Sequence, residues 1–348
     1  MTQAGRKSWK KLPAAVLASV VVLGTGASTL PFASSVQAEE YTAAATTAPN
    51  VSDPAKMELI YLVGASITSQ NRFAQTSDHM EYWAVEAAQN QAMDVVSNPD
   101  PNSAQLFAAR QKIEKAWEDY AYRYVHDKQD VQQILGRDGR AIHSSDPAEL
   151  SPWEQGVVNL IDETYDLMAT MGDSHAEAAK AYQYYELRLA KLSRLSNFNL
   201  DFYSSSLSDN QQNILPSLAQ LQQLGIDVTD RKANFDRSVA FMQALLNNGP
   251  YEKAVYSAAL NDVQNDRYAI MSSAELAGQI ARLQKLADTA PRGTASGQYP
   301  ASSFGTLNRA INEAKRVLKN ADSSEELNYQ YQFVLERAEY YFKKSVKP

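Results

Sequence analysis

GQYPASSFGTLNRAINEAKRVLKNADSS, residues 297–324, decides how the rest of the chain is read. Pro300 fixes its own φ and disfavours helix at Tyr299, and Gly297 lets the chain turn before them. Leu307, Ala310, Ile311, Ala314, Val317 and Leu318 then recur every three or four residues, the spacing of one apolar helical face. Asn320-Ala321-Asp322-Ser323 ends that helix and caps the next. Three expectations follow. Tyr299 folds its ring over the end of a bundle, Ile311, Ala314 and Leu318 face its core, and the stretch serves architecture rather than chemistry.

The same grammar runs through most of the chain. Asp53-Pro54 offers an N-cap with Pro in the first turn. Ser151-Pro152-Trp153-Glu154, Ser272-Ser273-Ala274-Glu275 and Ser323-Ser324-Glu325-Glu326 read as capping boxes, with looser versions at Asp78–Glu81 and Ser208–Gln211. Gly172, Gly225 and Gly249 follow apolar-periodic runs, as helix-ending glycines do. These marks predict about eleven helices, near 54–72, 78–97, 103–128, 151–171, 174–203, 209–224, 230–247, 251–267, 273–288, 302–320 and 324–345. Alternation of apolar and polar residues is rare, so the expected class is all-α. Tandem three-helix-bundle-like modules in an elongated chain are the expected arrangement.

At the start, Arg6, Lys7, Lys10 and Lys11 precede an apolar run from Leu12 to Leu23, and Val36-Gln37-Ala38 follows. That pattern predicts a secretory signal peptide over 1–38, cleaved after Ala38. Residues 39–52 read as a flexible leader, 53–128 as an N-terminal bundle and 129–150 as a linker. Residues 151–270 form a central helical region and 272–348 a C-terminal three-helix bundle. Taking the four basic residues of 1–38 from the chain's 33, against 40 acidic ones, leaves a net charge of −11. Such a surface disfavours nucleic acid and anionic lipid. With no Cys, stability rests on buried apolar surface, and no later apolar run is long enough to span a bilayer.

The two ends of the expected mature chain are alike. Residues 92–120 can be laid on 314–341, pairing Ala92 with Ala314, Val96 with Leu318, Asn98 with Asn320 and Asp100 with Asp322. After a one-residue deletion, Leu106 meets Leu327, Ile113 meets Val334 and Tyr120 meets Tyr341. The Gly297-Gln298-Tyr299-Pro300 turn, the L..AI..A helix and the Asp-rich turn resemble the FIVAR repeat, a three-helix unit of secreted and cell-surface bacterial proteins. The resemblance is best at 297–342, covers 273–296 by topology, and returns weakly at 54–128, which lacks the Gly-x-Tyr-Pro turn. It implies attachment modules that accompany adhesins and carbohydrate-active proteins.

Chemistry-bearing patterns are sparse. His79, His126, His143 and His175 lie in no zinc or di-iron spacing. Neither a nucleophile elbow, a phosphate loop nor a dinucleotide fingerprint is present. No cofactor, metal or catalytic residue is assigned. Tyrosine is the outlier, with 19 in the chain. Tyr182, Tyr184 and Tyr185 cluster in one helix, and Tyr329, Tyr331, Tyr340 and Tyr341 in another. A tyrosine ring offers an apolar face and a hydroxyl, suited to stacking on sugars and to protein contacts. Tyr182, Tyr184, Tyr185, Tyr329, Tyr331 and Tyr340 are therefore the candidate binding residues.

The leading expectation is a non-enzymatic, exported helical repeat protein, secreted or at the cell surface, with a periplasmic address also open. It would act in adhesion or in attachment to cell-wall or host glycan or protein. A second reading is an extracytoplasmic carrier of a small molecule such as haem, in a pocket lined by Tyr, Met168, Met171, Met242 and Met271. A third is a polysaccharide-active enzyme, and a fourth a membrane-active factor, which the acidic charge opposes.

Overall fold

A computed structural model of the chain describes residues 47–73, 79–197, 199–321 and 323–348. The expected signal peptide and the first part of the leader lie outside them. The described residues are all-α. In chain order they form α1 (Pro54–Arg72), α2 (Met80–Ser97), α3 (Ser103–Tyr124), α4 (Lys128–Gly139), α5 (Pro152–Thr170), α6 (His175–Leu192), α7 (Asp201–Asn213), α8 (Leu215–Gln223), α9 (Thr229–Asn248), α10 (Lys253–Thr289), α11 (Ala301–Asn320), α12 (Ser324–Tyr329) and α13 (Glu336–Lys344). A π-helical segment, Gln330–Leu335, joins α12 to α13 without a break. No helix among the described residues is long and apolar enough to cross a membrane.

Several expected caps form. Asp53 accepts from the amides of Ala55 and Lys56, and Ser151 and Glu154 make a reciprocal capping box. Ser323 accepts from Glu326 N. Among the three expected stop glycines, only Gly225 takes the left-handed conformation, at φ 67°, where Ile226 N donates to Leu221 O. Gly172 and Gly249 follow helices that end in extended backbone.

Four expectations need correction. Residues 129–150 are not simply a linker. Asp127 caps α4 by accepting from Asp130 N at 3.0 Å, and Val131, Ile134 and Leu135 bury one face of it. Residues 251–267 and 273–288 are one helix, the 37-residue α10. Ser273 caps nothing there; its hydroxyl donates to the Ala269 carbonyl one turn back, at 2.6 Å, and Ser272 is buried. Ser208–Gln211 likewise lies inside α7, and the break expected near 204–208 falls instead at 193–200. A second break comes just before Pro216, which has no N–H to donate and would crowd the Gln212 carbonyl. Finally, the described end of the leader is docked. Pro49 is buried, Val51 is 1% exposed, and the Tyr251 hydroxyl donates to Val51 O. The total near eleven survives because α4 is gained while two helices fuse, with α7–α8 and α12–α13 each taken as one interrupted rod.

The apolar core is arranged in two clusters. The larger is continuous from Val51 to Phe342, so residues on both sides of the expected boundaries at 128 and 270 share it. The smaller gathers the end of α3 with α4, α5 and α6 around Leu135, Leu160, Met168, Tyr182 and Tyr185. The opening stretch folds as its residues dictate. Gly297 has φ 76°, which only glycine adopts freely. The Tyr299 ring stacks on Phe342 at 4.5 Å, and Phe304 meets Phe342 edge-on at 5.1 Å. Ile311 and Ala314 are fully buried and Leu318 nearly so. Arg231 from α9 closes the far end of α11 by donating to the Leu318 and Ala321 carbonyls.

Burial agrees at some of the positions paired between the two ends of the chain and differs at others. Ala92 and Ala314 are both fully buried, as are Val96 and Leu318 within a few per cent. Further on, Tyr120 is buried but its expected partner Tyr341 is 55% exposed, and Val334 is only half-buried. The buried partners are one residue later: Ile113 with Leu335, Trp117 with Glu339 and Tyr120 with Phe342. The π-helical segment is the reason. A π turn carries one residue more than an α turn, and that extra residue restores the phase lost to the deletion in the preceding turn.

Candidate functional site

The structure separates the six candidate tyrosines. Tyr182 and Tyr185 have no exposed surface and cannot form a binding face. Tyr182 packs edge-on against Phe73, and the Tyr185 hydroxyl donates to Asp138 Oδ2 at 2.9 Å. Tyr184 is half-buried, with Arg188 over its ring at 5.2 Å. Tyr331 is half-buried against the main core. Tyr329 and Tyr340 do reach solvent, at 58% and 51%.

What surrounds those two tyrosines forms a coherent surface. Tyr329, Phe333, Arg337 and Tyr341 recur every fourth residue along α12, the π segment and α13, and all are exposed. In a straight α-helix such a row drifts around the axis by about 40° per step. The wider π turn takes up part of that drift, so the row stays closer to one face. The rings of Tyr329 and Phe333 are 5.4 Å apart, and those of Tyr340 and Tyr341 also 5.4 Å, nearly perpendicular. Arg337 lies over Tyr341 at 5.8 Å and Lys344 over Tyr340 at 4.6 Å. Phe333, Arg337, Tyr341 and Lys344 were not among the candidates. Their signal was present as spacings of four, but without the π segment the phase of this helix cannot be assigned from sequence.

Tyr329 also stands at the rim of an open groove of about 1970 Å³ between the α8–α9 turn, α10, α11 and α12. Asp227, Asp230, Asn265, Gln284 and Lys315 give it hydrogen-bonding groups of both kinds, and Ala277 and Ile280 line part of its floor. Aromatic rings beside a polar groove suit a ligand with alternating apolar and hydroxyl faces.

A second concentration of charge is internal and joins the two cores. Arg72, at the end of α1, pairs with both oxygens of Asp138 on α4, at 2.9 and 2.6 Å. Its Nε lies 2.5 Å from Glu186 Oε1 on α6. Glu186 has no exposed surface, and its Oε2 finds no hydrogen-bond partner among the described residues. Burial pushes its carboxyl up to about 8; Arg72 offsets part of this, while Glu252 and Asp138 add to it. Glu252, whose Oε2 is 3.3 Å from Thr68 Oγ1, is pushed up to about 7, again chiefly by burial. Nearby, Trp117 Nε1 donates to Ser69 Oγ at 2.9 Å. The cluster is closed to solvent on the Glu186 side and reads as a junction.

The four histidines do not form one cluster, although the His126 and His175 rings stack at 5.3 Å. His79 contacts Arg123, His126 contacts Asp130, His143 pairs with Glu154, and His175 stacks on Tyr122 at 3.8 Å. Among the described residues no group of three His, Asp or Glu side chains is placed to hold a metal. Met168 and Met242 are buried in different clusters, so they do not line one pocket.

Residues 272–346 match a family described as a domain of unknown function, DUF4972. No curated protein and no solved structure matches the chain. The matched span begins inside α10 and takes in α11, α12, the π segment and α13, and hence the whole exposed aromatic row.

Proposed function

We propose that the protein is an exported, non-enzymatic helical attachment protein that holds glycan or protein at a cell wall, matrix or host surface. The observation that carries this reading is the exposed row Tyr329, Phe333 and Tyr341 with Tyr340 beside it. Large rings left in water on a helix that buries its other face are a cost to solubility, and interaction surfaces are where such patches occur. The signal-peptide pattern over 1–38 and the resemblance of 297–342 to a surface-protein repeat support the same reading. The test is co-sedimentation of the full-length protein with isolated bacterial cell walls and with mucin. The double variant Phe333→Ser, Tyr341→Ser should stay in the supernatant with unchanged helicity. Pelleting by the variant as strong as by the wild type would remove this face from the account.

A further inference from the structure

We infer that the α13 end of the aromatic row binds an anionic polysaccharide, one carrying carboxylate or sulfate groups. This rests on the attachment reading and narrows it to a ligand chemistry and a place. The argument is from charge. The chain is acidic overall, with a formal net charge of −7, so a polyanion is repelled by most of its surface. Cations exposed beside exposed rings give this end of the helix a local attraction that the net charge opposes.

Arg337 and Lys344 each sit one turn from a tyrosine, over the ring faces of Tyr341 and Tyr340. Neither forms an ion pair among the described residues, and both are exposed. Glu339, the other acidic residue of α13 beside Glu336, is already held by Arg282 at 2.6 Å and Lys343 at 2.7 Å. Those contacts keep Glu339 well below the usual carboxylate range, at about 2. Glu336 remains exposed on the same helix, and Glu325 and Glu326 lie at the opposite end, beside Tyr329. The row therefore has a polarity, acidic at α12 and basic at α13.

The geometry fits a chain rather than a point ligand. From Tyr329 to Tyr341 the row is about 18 Å long, from the rise of a helix. Apolar sugar faces can stack on Phe333 and Tyr341, while acidic substituents reach Arg337 and Lys344 from the same side. A guanidinium lying against a ring keeps its edge donors free for a carboxylate or sulfate.

The experiment is affinity electrophoresis of the full-length protein in gels containing polygalacturonate or chondroitin sulfate, with amylose and hydroxyethyl cellulose as neutral polymers. The wild type should be retarded by the two polyanions, and less so as salt is raised. The variant Arg337→Gln, Lys344→Gln should lose roughly tenfold in affinity, as two exposed ion pairs allow. Phe333→Ser, Tyr341→Ser should abolish retardation with circular dichroism unchanged. Equal retardation of the wild type and the charge variant by polyanions would overturn the inference. So would equal retardation by neutral polymers, which would leave glycan attachment standing. No retardation in any gel overturns it too; continued pelleting with cell walls or mucin would then keep the attachment reading, and loss of pelleting would end both.

Discussion

Replacing Glu186 with Gln should change how the stability of this chain depends on pH. The ordinary glutamate value is 4.5, and in the folded protein burial holds Glu186 at about 8. Below about pH 4.5 the carboxyl is protonated in both states and contributes nothing. Between those values the folded state keeps a proton that the unfolded chain has released, so raising the pH favours unfolding. The shift of about 3.5 units, at ~1.36 kcal/mol each, sets a ceiling on the order of 5 kcal/mol lost by about pH 8. Glu252 acts in the same sense, but it keeps some solvent contact and its share is smaller. The substituted amide would keep the side-chain shape and remove the titration, and Arg72 would retain both bonds to Asp138. Urea unfolding of wild type and Glu186→Gln from about pH 4 to about pH 9 reads the difference directly. The curves should converge near the acid end and separate as pH rises, with the variant more stable at the alkaline end. Parallel curves would refute the claim that this carboxyl enters the fold protonated.

Further expectations concern other parts of the structure. Phe342→Ala removes the ring on which Tyr299 and Phe304 pack, and thermal or urea unfolding should show a loss of about 3–5 kcal/mol. Ser273→Pro places a helix breaker in the middle of α10 and should cost about 3 kcal/mol or more, whereas the same residue in a loop would be tolerated. Amide hydrogen exchange should find residues 268–275 protected as helix interior; rapid exchange there would restore the expected break. The His143 imidazole is held above its usual range by its bond to Glu154, and that bond takes Glu154 down to about 2. The pairing therefore favours folding below the unfolded histidine value and is lost as pH rises through the raised one. An NMR titration should show the His143 midpoint return towards normal in Glu154→Gln.

Local grammar carried most of the fold. The Gly297-to-Pro300 turn, the α11 stripe and the Asp53 and Ser151 caps act within a few residues, so they are visible without tertiary knowledge. The failures share a different cause. Ser272, Ser273 and Glu275 make a plausible cap, but burial of Ile270, Ala274 and Leu276 keeps the chain helical through them. Asp127 and Val131 signal α4 correctly, and the glycines at 136 and 139 hid it. The tyrosine candidates failed by phase. Tyr182 and Tyr185, three residues apart, occupy one buried face, and the π segment turned Tyr341 outward in place of its neighbour Phe342. A stripe read from sequence presumes a constant period, and that period changes here within the helix that carries the candidate surface.

The continuity of α10 has a geometric consequence. A loop between two bundles absorbs an inserted or deleted residue, but a helix counts it. Each residue added to α10 between its packing with α9 and its packing with α11 would rotate everything downstream by about 100° and advance it by about 1.5 Å. Arg231 would then miss the carbonyls of Leu318 and Ala321, and the aromatic row would face another direction. The length of α10 thus works as an angular setting, fixing where on the molecule the exposed rings are aimed.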